Sequence, residues 1–68
     1  MNKTYLILCM YLRLVDGQGI NIKDWCNDNS MTVSSFRRYV ALLRDFCWQE
    51  LGVRIVYDPD RQLYLLSK

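Results

Sequence analysis

The stretch from Thr32 to Gly52, TVSSFRRYVALLRDFCWQELG, constrains this chain more than any other. Thr32 is a strong helix N-cap whose hydroxyl can accept the amide of Ser35, and Gly52 is a ready left-handed terminator. Between them Phe36, Val40, Leu43 and Cys47 recur at intervals of 4, 3 and 4, an inward stripe of helical period. Met31, just before the cap, is placed to pack on Phe36 as a hydrophobic staple. The spacing predicts one helix over 33–51, with Ser34, Arg37, Arg38, Ala41 and Asp45 facing outward. A chain of 68 residues buries only about 60% of the surface its unfolded form exposes, so this helix has to anchor a small core.

The flanking segments are compatible with such an anchor. Residues 4–15, TYLILCMYLRLV, are apolar almost all round a helix and only Arg13 interrupts them, so this helix is either buried or shared with a partner. Its lysine-plus-apolar start resembles a secretory leader only faintly. It has no small-residue cleavage site, Arg13 and Asp16 follow directly, and about 20 apolar residues are needed to cross a bilayer. Asp16-Gly17-Gln18-Gly19 ends the helix. Ile20-Asn21-Ile22 offers a bridge of strand, and Asn21 caps a short second helix, KDWCNDN, with Asp24 as an imperfect capping box and Trp25 in the core. After Gly52, Val53, Ile55 and Tyr57 alternate with Arg54 and Val56 in a half-buried strand. Asp58-Pro59-Asp60-Arg61 is a turn with proline at its second position, and Leu63 and Leu65 alternate in a second strand that ends at Ser67. The predicted fold class is therefore α+β, one domain over 1–68. Three helices followed by a hairpin over 53–66 are the order of a winged helix-turn-helix.

Charge singles out the long helix. Residues 1–32 balance Lys3, Arg13 and Lys23 against Asp16, Asp24 and Asp28, so the net charge of +2 belongs wholly to the second half. There Arg37 and Arg38 stand side by side, and no acidic residue lies between Asn29 and Arg44. In a helix-turn-helix the start of the second motif helix meets base edges in the major groove. Ser34 and Ser35 are small enough to let the backbone approach DNA, and the two arginines offer bidentate contacts to guanine or phosphate. Thr32, Arg44, Lys23 and Arg61 complete the expected DNA-contacting set. Arg38, in line with Ser34, is assigned to base edges and Arg37 to phosphate. Lys23 suits either a phosphate or solvent. Arg61, at the hairpin tip, suits either the minor groove and backbone or an ion pair with Asp58 or Asp60, and Arg54 faces outward on its strand.

The segment MTVSSFRRYVALLRDF resembles the recognition helix of DeoR-type and WYL regulators, V-S-x-x-T-I-R-R-D-L-x-x-L-R. Met31-Thr32 stand at its V-S, Ser35 at its threonine and Phe36 at its isoleucine. Arg37-Arg38 match its arginine pair, Val40 its leucine and Leu43-Arg44 its final L-R. VRIVYDPDRQLYLLS likewise resembles the wing of that family, I-x-Y-D-x-x-R leading into a tyrosine and a leucine. The resemblance spans Ile20 to Ser67 and implies sequence-specific binding of double-stranded DNA and regulation of transcription, in the cytoplasm at the nucleoid. Three positions depart from the pattern: Tyr39 replaces an aspartate, Asn29 a leucine and Ser30 the glycine of the turn. No sensing role is carried over. Tyr39 borders the inward stripe and is expected to be structural.

Other chemistries find little footing. Cys9, Cys26 and Cys47 are odd in number and widely spaced, there is no C-x-x-C pair and no histidine, so the expectation is reduced thiols with no metal and no disulfide. No phosphate loop or nucleophile arrangement is present, and Asp58 and Asp60 flank a proline as ordinary turn residues. No enzyme activity, cofactor or membrane span is expected. A homodimer is expected, because one reading helix contacts too few base pairs to be selective. Tyr5, Leu8, Leu12 and Val15 point to one side of the first helix as its interface. Trp48, about 15 Å beyond Arg38 along the third helix, either joins that interface or packs under the wing or the first helix. The competing function classes are a winged-helix protein-interaction module and an architectural, excisionase-like factor.

Overall fold

The computed structural model describes residues 2–67, and it is α+β: three helices followed by a two-stranded antiparallel hairpin. Helix α1 spans Lys3–Val15, α2 Ile22–Asp28 and α3 Val33–Phe46, and the strands are β1, Arg54–Asp58, and β2, Leu63–Ser67. Side-chain caps set all three helix starts. Asn2 Oδ1 accepts the Tyr5 amide at 2.8 Å, Asn21 Oδ1 that of Asp24 at 2.9 Å, and Thr32 Oγ1 that of Ser35 at 3.1 Å. The caps of α2 and α3 are those the sequence predicts. No helix among the described residues is long and apolar enough to cross a membrane.

The predicted helix over 33–51 is α-helical only to Phe46. Cys47–Leu51 form one wider, π-helical turn, and the Gly52 and Val53 amides reach back to the Trp48 and Cys47 carbonyls at 3.2 Å each. Gly52 closes it with φ 66°, the left-handed conformation that glycine adopts without steric cost. The inward stripe is as predicted: Phe36, Val40, Leu43 and Cys47 are all buried. They pack with Met10 and Leu14 of α1, Ile20, Trp25 of α2 and Ile55 of β1 in a single core.

The turn into α3 explains two of the departures noted above. Asn29 does not pack as a leucine would. Its side-chain amide donates to the Trp25 carbonyl at 3.0 Å, beside its own backbone amide at 3.1 Å, and so terminates α2. Ser30 takes the left-handed conformation, φ 52°, that a glycine would hold more cheaply.

The hairpin pairs Ile55 with Leu66 and Tyr57 with Tyr64, and residues directly opposite share a face. Tyr64 and Leu66 therefore face the core, and the alternating pair Leu63 and Leu65 lies on the other side. The loop decides this. Gln62 is left-handed at φ 58°, and the chain re-enters the ladder with Leu63 opposite Asp58. Tyr57 lies on the core side yet stays half exposed near the hairpin tip, with its ring 5.0 Å from that of Tyr64. The far edge of β2 is capped by an antiparallel bridge: Ile20 and Tyr64 exchange backbone hydrogen bonds of 3.0 and 2.9 Å. Leu65 and the Tyr64 carbonyl close over Gly19 so tightly that a Cβ there would lie 2.7 Å from the leucine.

Candidate nucleic-acid interface

Helix α3 lies with its inward stripe on the core and its first turns open to solvent. Ser34, Arg37 and Arg38 are exposed there. The only ion pair among the described residues joins Arg61 to Asp58, so neither arginine of the pair is neutralised. The two arginines differ in setting. Arg38 donates from Nη2 to Ser35 Oγ at 3.2 Å, and the same oxygen accepts from Thr32 Oγ1 at 3.1 Å. Thr32 and half-buried Ser35 thus serve the helix cap, and Ser35 orients Arg38. Arg37 has no polar partner among the described residues.

The remaining predicted contacts are dispersed around this patch. Lys23 is exposed in the first turn of α2. Arg61 stands at the hairpin tip with its Nε 3.7 Å from Asp58 Oδ2, an exposed pair of the kind that contributes little. The other oxygen of Asp58 holds the turn, accepting the Asp60 and Arg61 amides at 3.0 and 3.3 Å. Arg44, seven residues beyond Arg37 and on the same side of the helix, lines a cleft of about 470 Å³ between α3 and β1. Trp48, Arg54, Ala41, Asp45 and Ile55 complete that cleft, and the Arg54 guanidinium lies over the Trp48 ring, 5.0 Å from its centroid.

The structure therefore separates the residues expected at the oligomer interface. Tyr5, Leu8, Leu12 and Val15 are all more than half exposed along α1, whereas Trp48 sits against the hairpin. Two residues that sequence reasoning passed over, Leu42 and Phe46, are exposed apolar positions of α3 beside Leu8. Their signal was available: they are apolar, four residues apart, and off the inward stripe. Tyr39 is half-buried and packs against the core, as expected for a structural residue.

Thiol chemistry is disfavoured at two of the three cysteines. Burial raises the pKa of both Cys26 and Cys47 above the ordinary thiol value, which holds them protonated at neutral pH. What the surface offers is an array of uncompensated guanidinium groups at one end of a rigid helix. No known protein family, curated protein or solved structure matches the chain.

Proposed function

We propose that this chain is a winged helix-turn-helix protein of the DeoR and WYL-regulator kind that binds duplex DNA and regulates transcription in the cytoplasm. In this reading α2 and α3 are the motif and the β1–β2 hairpin is the wing. The observation that carries it is the pair Arg37–Arg38, exposed beside Ser34 on the first turns of α3 and free of any carboxylate partner among the described residues. A carboxylate there would repel phosphates. Arg38 lies opposite the inward stripe and is held only by a neutral hydroxyl, which a bidentate pair with guanine replaces with gain. Arg37 lies toward the flank and suits a phosphate. Lys23 and Arg61 extend the cationic rim, and Arg61 gives up only a weak surface pair to do so.

The test is a titration of the protein and its Arg37→Ala and Arg38→Ala variants on a selected duplex and on random duplexes, at several salt concentrations. Arg38→Ala is expected to cost about 1–3 kcal/mol on the selected site and to relax preference at one base pair. Arg37→Ala is expected to weaken all duplexes alike and to lower the salt slope by about one unit. Both changes are at exposed positions and should leave stability within about 0.5 kcal/mol. Unchanged binding in both variants would sink the proposal. It would favour instead a protein-interaction module, the reading that the exposed apolar residues of α1 and α3 support.

A further inference from the structure

We propose that the chain pairs with a second copy of itself through α1, antiparallel, about a two-fold axis that passes between Leu8 and Leu12. The side of α1 facing the core carries Leu6, Met10 and Leu14, all buried. The opposite side carries Tyr5, Leu8, Leu12 and Val15 at intervals of 3, 4 and 3, and they are 53–64% exposed. No charged residue interrupts that stripe, and Arg13 lies away from it, over the Trp25 ring at 5.2 Å. The apolar surface continues across a groove of about 320 Å³ between α1 and α3 to Leu42 and Phe46, 55% and 45% exposed.

The area fits a second copy. Aromatic side chains offer roughly 150–250 Å² each and aliphatic ones less, so two aromatic and four aliphatic residues about half exposed leave on the order of 500 Å² in one patch. A standard interface takes about 800 Å² from each partner, and the rim of such an interface supplies the rest. A patch of that size is at the upper end of what isolated soluble domains leave in water.

The stripe also fits itself. In an antiparallel pair Leu8 of each copy lies opposite Leu12 of the other, and Tyr5 lies opposite Val15, a large residue against a small one. Asp16, at the end of α1, then meets the positive end of the second copy's helix dipole. A parallel pair would instead place Tyr5 on Tyr5 and Asp16 on Asp16. With α1 at the axis the partner covers the Leu42–Phe46 end of α3 and leaves Ser34 and Arg38 open. Such a pair presents two α3 N-terminal ends related by a two-fold axis, as a two-fold operator requires. This purpose rests on the proposed function; the pairing itself does not.

The test is sedimentation equilibrium of the full chain, without DNA, for the wild type, Leu8→Lys, Leu12→Glu and an equimolar mixture of the two variants. The wild type is expected to be a dimer at tens of micromolar. Each variant is expected to weaken association more than about a hundredfold by burying a lone charge. Antiparallel pairing then makes a distinctive demand: the mixture regains the dimer, because one layer becomes lysine against glutamate and the other stays leucine against leucine. Recovery also proves that both variants fold. A monomeric wild type, or variants that still dimerise, overturns the proposal, and a mixture that stays monomeric overturns the antiparallel arrangement. A monomer leaves the DNA-binding proposal standing, and a dimer that ignores DNA leaves this one standing.

Discussion

The two halves of α3 share one inward stripe and differ in the balance of what they show to solvent. The first half exposes Ser34, Arg37 and Arg38 together with Val33, while the second exposes Leu42 and Phe46 beside the opposite charges of Arg44 and Asp45, with exposed Trp48 in the widened turn that follows. Underneath, Phe36 and Val40 hold the first half down as Leu43 and Cys47 hold the second. One rigid element can therefore present a cationic end and an apolar end at a fixed separation. The first suits an anionic polymer and the second suits protein. The difference teaches that the helix is organised along its length as well as around its circumference, and only the second kind of order is periodic.

The largest effect that can break this comparison is at the stripe itself. Phe36 is fully buried and Phe46 is 45% exposed, ten positions further along the same helix. Phe36→Ala should cost about 3–5 kcal/mol, a large share of the stability of so small a domain. Phe46 makes an edge-on contact with Tyr11, 5.7 Å between ring centroids, so Phe46→Ala should cost about 1 kcal/mol in the monomer. Denaturant unfolding at low protein concentration measures both. Equal losses would mean that Phe46 belongs to the core and that the apolar end is not a free surface.

A smaller effect is expected at the boundary between the halves. Tyr39 is half-buried against the core, and it stands where the resembling family has an aspartate. Tyr39→Ala should lower stability by about 2 kcal/mol, the lower range for truncating a large core side chain. The folded variant should still bind DNA as the parent does. Lost binding with an unchanged melting temperature would move Tyr39 from the scaffold to the cationic end.

How much of this was legible in the sequence depends on whether the information is local. The stripe of α3 is read from spacing alone, and the Asn21 and Thr32 caps from a side chain three residues ahead of its partner amide. The exposed arginine pair follows from the same spacing. The core face of β2 does not, because Tyr64 and Leu66 are set by the pairing register, and a left-handed Gln62 sets that register. Trp48 was legible only as alternatives, packing under the wing among them, because its neighbour is Arg54, on a strand whose approach to α3 no periodicity reports. Asn29 was legible as a departure from a pattern, but its replacement role as a cap needed coordinates.

The smallest expected effect concerns how the cationic end is held at its angle. Ser30 links α2 to α3 in the left-handed conformation, φ 52°, where a Cβ crowds the following carbonyl at a cost of roughly 1 kcal/mol. Glycine removes that crowding, yet it also has more freedom to lose on folding, which offsets part of the gain. Ser30→Gly should therefore raise stability by about 0.5 kcal/mol. The Met31 amide would keep its 2.9 Å bond to the Cys26 carbonyl, which fixes the turn independently of residue 30. Binding at the arginine end should accordingly stay within twofold, about 0.4 kcal/mol. The measurements are a denaturation midpoint and a DNA titration on the same preparation. A stabilised variant with weakened binding would show that the strain at Ser30 serves to aim α3, and the two ends of the helix would then differ in rigidity as well as in chemistry.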